Sequence, residues 1–347
     1  MRRVILALSA VLGGAILAST AQPCTRVLWN DNNWSVLVGR NMDWFEDLKS
    51  NIWALPRGMK RDGLAAKNPL VWTSKYGSIA ITGYEEGTVD GLNEKGLGAH
   101  LLYLPETSTS PRNERVPGLC ISLWAQYYLD QFATVDEAVK ALKTIPYQLL
   151  MAIEPSTKRP LTLHLALNDA AGDSAILECI HGEIKVYHDR KYTVLTNEPQ
   201  YDQQLELLKQ YHGFGGEKRL PGTHEPTDRF VRASYYLKNL PKPKADREAI
   251  AALMSVMRNV SAPFGSANVD RPEVSTTIWR IVTDLTNRIV YYDGVFSPQV
   301  FWVKMRELNL AEGQPVLKLT VVDNFDLMGD VSGEFRKSAM FKFLGPE

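Results

Sequence analysis

The chain has 347 residues, 45% of them hydrophobic and 22% charged, a composition that is typical of a globular protein and excludes disordered, collagen-like and disulfide-scaffold classes. Lysine and arginine together number 39, as do aspartate and glutamate, so no basic surface and no nucleic-acid partner are expected. The three cysteines allow one disulfide at most, which leaves at least one thiol to be explained.

Residues 1–23 have the pattern of a secretory leader. Two arginines precede an apolar run from Val4 to Ala18, and small residues follow as far as Ala21. The apolar run is shorter than the roughly 20 residues of a permanent membrane span, and no other segment approaches that length. We therefore expect an exported protein, periplasmic or secreted, without a stable membrane span. Residues 1–23 are a signal peptide with a short pro-segment, and residues 24–347 form a single domain.

Cys24 stands directly after the leader. Signal peptidases cut after small residues, so Gln22 and Pro23 must leave in a second step if Cys24 is to become the first residue. A first-residue cysteine carries its own base, because its α-amine titrates near 7.7 to 8.0 and its thiol near 8.5. The alternative is a lipoprotein cysteine acylated after export, but a lipobox has a small residue, not proline, before the cysteine. The sequence therefore favours Cys24 as a processed nucleophile.

Other common catalytic patterns are missing from the sequence. The six histidines have neither H-E-x-x-H spacing nor a zinc-like association with cysteine, and no Gly-rich nucleotide loop or G-x-S-x-G motif occurs. No metal and no cofactor are therefore predicted. Cys120 and Cys179 lie among apolar neighbours and are predicted as small core residues, with a disulfide between them as the alternative.

In chain order, the first predicted elements are a hairpin of residues 25–29 and 34–44, joined by the Asn-rich turn at 30–33. Further strands are predicted at 75–84, 96–104, 161–169, 175–188, 191–197, 276–293, 300–305 and 316–323. Helices are predicted at 120–132, 135–145, 201–211, 228–240 and 247–260. Residues 90–97, DGLNEKGL, are interpreted as a polar turn. Hairpins with helices clustered between two strand-rich halves indicate an α+β fold of antiparallel sheets covered by helices.

Several motifs in a fixed order carry a resemblance to a known family. After Cys24 come GRNMDW (39–44), DGLNEKGL (90–97), TNEP (196–199) and TTIWR (276–280). This order resembles the choloylglycine hydrolase and penicillin V acylase family of N-terminal-nucleophile, linear amide C-N hydrolases, over essentially the whole of 24–347. The resemblance implies a four-layer α-β-β-α sandwich, a single catalytic domain, an autoprocessed thiol nucleophile and a homotetramer. The leader makes the chain similar to the exported Gram-negative branch.

The resemblance also implies a set of catalytic residues. Arg40 and Asp43 match a family pair, in which an arginine favours the thiolate and a carboxylate orients the amine. Asn197 matches the asparagine whose side-chain N–H helps to form the oxyanion hole. Arg280 matches an arginine near the nucleophile and completes the charged cluster. Without the resemblance, each residue also fits a turn or surface role, and Arg280 fits an ion pair with Asp284.

Four further residues are predicted to bind substrate. Tyr103 holds the position where bile-salt hydrolases commonly carry Asn and penicillin V acylases Tyr, and Met42, Trp44 and Tyr84 are expected to border the acyl pocket, with core packing as the alternative. Such a lining favours a small-molecule N-acyl amide with a bulky apolar acyl group and a small polar amine. Conjugated bile salts and penicillin V are preferred, and N-acyl homoserine lactones are the alternative. An exported binding protein lipidated at Cys24 is the alternative from another class.

Overall fold

The computed structural model describes residues 24–154, 158–265 and 275–346. The predicted leader at 1–23 lies outside these residues. Within the described ranges, none of the helices has the length and apolar character needed to cross a membrane. Strands and helices are numbered along the chain.

The first large sheet has seven strands, and the predicted hairpin lies near its centre. Its spatial order is β14 (Val194–Leu195), β1 (Cys24–Trp29), β2 (Leu37–Trp44), β15 (Thr276–Asp284), β16 (Ile289–Gly294), β17 (Val300–Lys304) and β19 (Gly329–Asp330). β1 and β2 pair antiparallel with Cys24 opposite Met42. β15 pairs with the other edge of β2, so β2 is hydrogen-bonded on both sides.

The second large sheet has nine strands and faces the first. Its spatial order is β13 (Glu183–His188), β12 (Ser174–Ile180), β11 (Leu163–Asn168), β8 (Gly98–Tyr103), β7 (Gly87–Asn93), β6 (Ser78–Gly83), β3 (Ile52–Leu55), β18 (Leu317–Leu319) and β20 (Arg336–Lys337). Two small two-stranded sheets pair β4 (Lys60–Asp62) with β5 (Val71–Thr73) and β9 (Gly118–Cys120) with β10 (Gln148–Leu150).

In the part of the chain that the structure describes, five α-helices cover the outer faces of the two large sheets. They are α1 (Trp124–Gln131), α2 (Val135–Thr144), α3 (Tyr201–Leu208), α4 (Pro226–Lys238) and α5 (Asp246–Asn259). α4 and α5 pack on the seven-stranded sheet, and α1 and α2 pack on the nine-stranded sheet. Buried apolar side chains of both sheets meet in the space between them. The predicted four-layer α-β-β-α sandwich is therefore confirmed.

Local turns divide two of the predicted strands. The run 175–188 is a hairpin, because His181 and Gly182 take positive φ values of 52° and 82° between β12 and β13. The run 276–293 is likewise divided into β15 and β16. The turn predicted at 90–97 is shorter, since Asp90 to Asn93 complete β7 and only the following residues turn. Gly96 is required there, because a Cβ would lie 2.6 Å from the Leu285 carbonyl oxygen.

Cys120 and Cys179 are free, buried residues of the apolar cluster beneath α1 and α2. Burial raises the pKa of the Cys179 thiol to about 11 and also raises that of Cys120. Both cysteines are therefore core residues, as predicted, and neither has the environment of a nucleophile.

Candidate active site

The ends of β1 and β2 place the predicted residues on two faces of one sheet. Side chains alternate along a strand, so Arg40 and Met42 face the second sheet together with Cys24, which lies opposite Met42. Asn41 and Asp43 face the helical layer, where the Asn41 amide binds a carbonyl of α5. The short stretch GRNMDW therefore supplies groups to both sides of the cysteine.

A buried cation lies beside the Cys24 sulfur. The Arg40 Nη2 atom is 3.3 Å from Sγ and donates a hydrogen bond of 2.5 Å to the Leu101 carbonyl oxygen. Its Nε is 3.8 Å from Asp90 Oδ2, which in turn lies 2.7 Å from His100 Nδ1. A positive charge at this distance favours the thiolate. Asp90 supplies the counter-charge that a fully buried arginine needs, a role that the interpretation of 90–97 as a turn missed.

Asn197 binds the backbone nitrogen of Cys24. The Cys24 N–H donates to Asn197 Oδ1 at 2.5 Å, and Arg229 Nη2 donates to the same oxygen at 2.8 Å. The Asn197 Nδ2 group donates to the Tyr103 carbonyl oxygen at 2.9 Å. An arginine can only donate and a carbonyl can only accept, so these two partners determine which end of the amide is oxygen.

Arg229 is a site residue that sequence reasoning missed. Its guanidinium is fully buried and donates to the Cys24 carbonyl oxygen at 2.5 Å and to Thr25 Oγ1 at 2.6 Å. Burial lowers its pKa, and nearby Asp43 opposes that shift. A signal was available, because Arg229 lies within the buried stripe of α4 that includes Pro226 and Ala233, where an arginine needs a polar partner.

Asp43 is a buried carboxyl with one oxygen uncommitted. Thr277 Oγ1 donates to its Oδ1 at 2.5 Å, and its Oδ2 is 4.0 Å from Arg229 Nη1. Among the described residues Oδ2 has no hydrogen-bond partner. Burial raises the pKa of Asp43 to about 6, while the charge of Arg229 and the Thr277 hydrogen bond oppose that rise. This carboxyl therefore titrates close to neutral pH.

Arg280 lies on the helix-facing side of β15. Its Nε lies 3.0 Å from Asp293 Oδ2, and its Nη1 donates to Ser261 Oγ at 3.2 Å. The pairing of β15 with β2 shifts at Ile278, and this bulge puts Arg280 opposite Asn41 on the helix-facing side. Its charge contributes to lowering the pKa of Asp43, while Arg229 makes the direct contact with Cys24.

Cys24 opens into an apolar cavity between the sheets, about 660 Å³ in volume including the space at its mouth. The four predicted substrate-binding residues all line it: Met42, Trp44, Tyr84 and Tyr103. Other lining side chains are mostly aliphatic: Leu48, Val89, Leu101, Leu161, Leu163 and Leu344. Near Cys24, Trp44 Nε1 donates to the Tyr84 hydroxyl at 2.9 Å. Nowhere in the described residues do three metal-ligating side chains converge.

Comparison with known proteins agrees with this geometry. The sequence model for linear amide C-N hydrolases, choloylglycine hydrolase family, matches residues 24–327. A penicillin V acylase of Pectobacterium atrosepticum is 38% identical, over 99% of this chain and 98% of its own. A bile salt hydrolase/transferase of Clostridium perfringens is 26% identical, over 83% and 94%.

A solved structure adds the same evidence for the fold. The penicillin V acylase from Agrobacterium tumefaciens superposes with a TM-score of 0.84 and 42% sequence identity. The match covers 93% of this chain and all of that one. The chain therefore belongs to the choloylglycine hydrolase family of linear amide C-N hydrolases.

Proposed function

We propose that this protein is an exported hydrolase that cleaves amides of a bulky apolar acyl group and a small polar amine, with Cys24 as N-terminal nucleophile. Penicillin V is the preferred substrate class. The observation that carries the proposal is the Arg40 guanidinium, 3.3 Å from the Cys24 sulfur at one end of an apolar cavity. Such a cation supports a thiolate, and such a cavity accepts an apolar acyl group.

The proposed chemistry uses one residue as nucleophile and base. Removal of residues 1–23 leaves Cys24 with a free α-amine, which accepts the thiol proton. The sulfur attacks the amide carbon, and the carbonyl electrons move to oxygen. When they return, the C–N bond breaks and the leaving amine takes the proton from the α-ammonium. Water then attacks the thioester, the amine again accepting a proton, and releases the acid and the free thiol.

The neighbours of Cys24 orient this amine and stabilise the charge that develops on the carbonyl oxygen. They are Asn197, Arg229 and Asp43. Asn197 Oδ1 accepts from the Cys24 nitrogen and so orients it. A free amine has more protons than a peptide N–H, and the uncommitted Asp43 Oδ2 supplies a nearby acceptor. One Asn197 Nδ2 proton is bound to the Tyr103 carbonyl. The second is available for the oxyanion, an interaction of about 2.7 to 4 kcal/mol at comparable sites.

Similarity supports penicillin V ahead of conjugated bile salts. The relatives named penicillin V acylase are 38% and 42% identical to this chain, against 26% for the bile salt hydrolase/transferase. Tyr103 also lines the cavity, and tyrosine is what penicillin V acylases commonly carry there. The cavity lining is mainly aliphatic and aromatic, which suits a phenoxyacetyl group.

The environment of Cys24 also supports a nucleophile over a lipidated cysteine. The residue is only 2% exposed, and its sulfur is within 4.0 Å of Met42 Sδ. A diacylglyceryl group on this sulfur would have to fill the cavity itself. Export rests on the leader pattern of residues 1–23, and a homotetramer stays a prediction from the family resemblance.

The test combines a substrate panel with the mass of the exported protein. Penicillin V, a taurine-conjugated bile salt and an N-acyl homoserine lactone are offered at equal enzyme concentration, with Cys24→Ala as control. We expect penicillin V to give the highest kcat/KM and the intact mass to begin at unmodified Cys24. A lipid adduct on Cys24, or release of product from none of the three by the processed protein, would overturn the proposal.

A further inference from the structure

The last described segment of the chain returns to the acyl cavity. The family match ends at residue 327, whereas Leu344 lies 17 positions later and lines the same cavity as Cys24. The segment therefore contributes to the cavity wall from beyond residues 24–327, which the family model matches.

Two hydrogen bonds hold the backbone of Leu344 at the cavity. Its N–H donates to the Glu86 carbonyl oxygen at 2.7 Å, and its own carbonyl accepts from Ser122 Oγ at 2.7 Å. Cys120 Sγ lies 3.2 Å from the same carbonyl. Glu86 and Ser122 line the cavity as well. Since both backbone polar groups are bound, the position of Leu344 is determined by the site and not by loose packing of a chain end.

Aromatic side chains hold the residues that directly precede Leu344. The Phe343 ring lies 4.8 Å from that of Phe341, which is buried, and the Arg61 guanidinium lies 5.5 Å from the Phe343 ring. Lys342 is exposed between them. The segment thus has apolar anchors on both sides of one solvent-facing residue.

Leu344 and the nucleophile line the same cavity but belong to different apolar clusters. Its side chain packs against the apolar cluster beneath α1 and α2, on the outer side of the nine-stranded sheet. Cys24 and Met42 belong instead to the core between the two large sheets. An acyl group that is bound to the Cys24 sulfur and fills the cavity therefore contacts Leu344.

We propose that Leu344 is a specificity-determining residue whose side chain sets the largest acyl group that the cavity accepts. The inference rests on the proposed function, because it assigns the cavity to the acyl half of the substrate. Removing side-chain volume at Leu344 lengthens the cavity, and adding volume shortens it. A few methylene groups in an apolar pocket change kcat/KM by about tenfold or more.

The experiment measures kcat/KM for straight-chain N-acyl amides of increasing length that share one amine. Leu344→Ala should raise the ratio of the longest to the shortest substrate by about tenfold, and Leu344→Phe should lower it. Leu142→Ala is the matched control, because Leu142 is a partly buried leucine of the same cluster that does not line the cavity. This control should lose comparable stability and keep the parental ratio.

A second measurement separates this inference from the proposed function. The carboxylic acids of the same series are titrated into each variant combined with Cys24→Ala, and binding is measured by calorimetry. If no N-acyl amide is cleaved by any variant, the proposed function fails, and the binding series still measures the length limit. An unchanged length profile in Leu344→Ala and Leu344→Phe, in turnover or in binding, would overturn the role of Leu344.

Discussion

The surroundings of Cys24 and Cys179 differ although both residues are buried. The Cys24 sulfur lies 3.3 Å from a guanidinium nitrogen of Arg40. The Cys179 sulfur lies among apolar side chains, 3.5 Å from the Ser108 carbonyl oxygen, and burial raises its pKa to about 11. Burial alone makes a thiol inert, whereas burial beside a fixed cation prepares a thiolate. The difference lies in the neighbours and not in exposure.

The largest effect should follow from removing the Cys24 thiol. Cys24→Ala should lower kcat by at least about 10³-fold with a circular dichroism spectrum like that of the parent, because no other group can form the thioester. Cys179→Ala is the matched control and should keep parental kcat/KM. Comparable activity in the Cys24→Ala protein would disprove the nucleophile assignment.

The contact between Arg40 and sulfur can be broken directly. Arg40→Met keeps much of the side-chain volume but removes the charge that favours the thiolate, so alkylation of Cys24 at neutral pH should slow by about tenfold or more. Turnover should fall by about 10²-fold. Rates of alkylation with iodoacetamide measure this change. Thermal unfolding measures how much stability is lost when Asp90 loses its partner Arg40. Alkylation identical to that of the parent would show that the Arg40 charge does not favour the Cys24 thiolate.

Two arginines near the site provide a matched pair of substitutions. Arg229→Met removes three hydrogen bonds to the Cys24 carbonyl, Thr25 and Asn197, and should reduce kcat/KM by about 10²-fold or more. Arg280→Met removes the contacts to Asp293 and Ser261 and a more distant charge near Asp43, and its effect should stay below about tenfold. Steady-state kinetics of both variants measure the loss of activity, and their melting temperatures show how much of it comes from lost stability. Equal losses of kcat/KM in the two variants would show that Arg280 contributes to catalysis as much as Arg229.

The smallest effect concerns pH. Burial raises the pKa of Asp43 from 3.8 to about 6, so the folded protein binds its proton more strongly than the unfolded chain. Between pH 4 and 6 ionisation of this carboxyl therefore lowers the free energy of unfolding, whereas it should raise kcat/KM by about tenfold by supplying the acceptor for the amine. Asp43→Asn should lose both trends. If kcat/KM of the Asp43→Asn variant still falls at acidic pH, another titrating group causes that fall.

Local patterns predicted the hairpin of β1 and β2, because alternation and an Asn-rich turn are both short-range signals. The family motifs named Arg40, Asp43 and Asn197, and the fold places all three around Cys24. Long-range packing determined the rest. Arg229 reaches the nucleophile only because α4 docks on the first sheet. Arg280 lies on the helix-facing side with Asp43 because the bulge at Ile278 shifts the alternation of β15.

The Arg229 contact has a consequence for the order of events during folding. It joins positions 205 residues apart, and the bond from Cys24 to Asn197 spans 173. Contacts between such distant positions form only after long loops have closed. The reactive sulfur is therefore a product of the finished tertiary structure. An incompletely folded chain carries the same cysteine as an ordinary thiol, so competence for catalysis arrives together with completion of the fold.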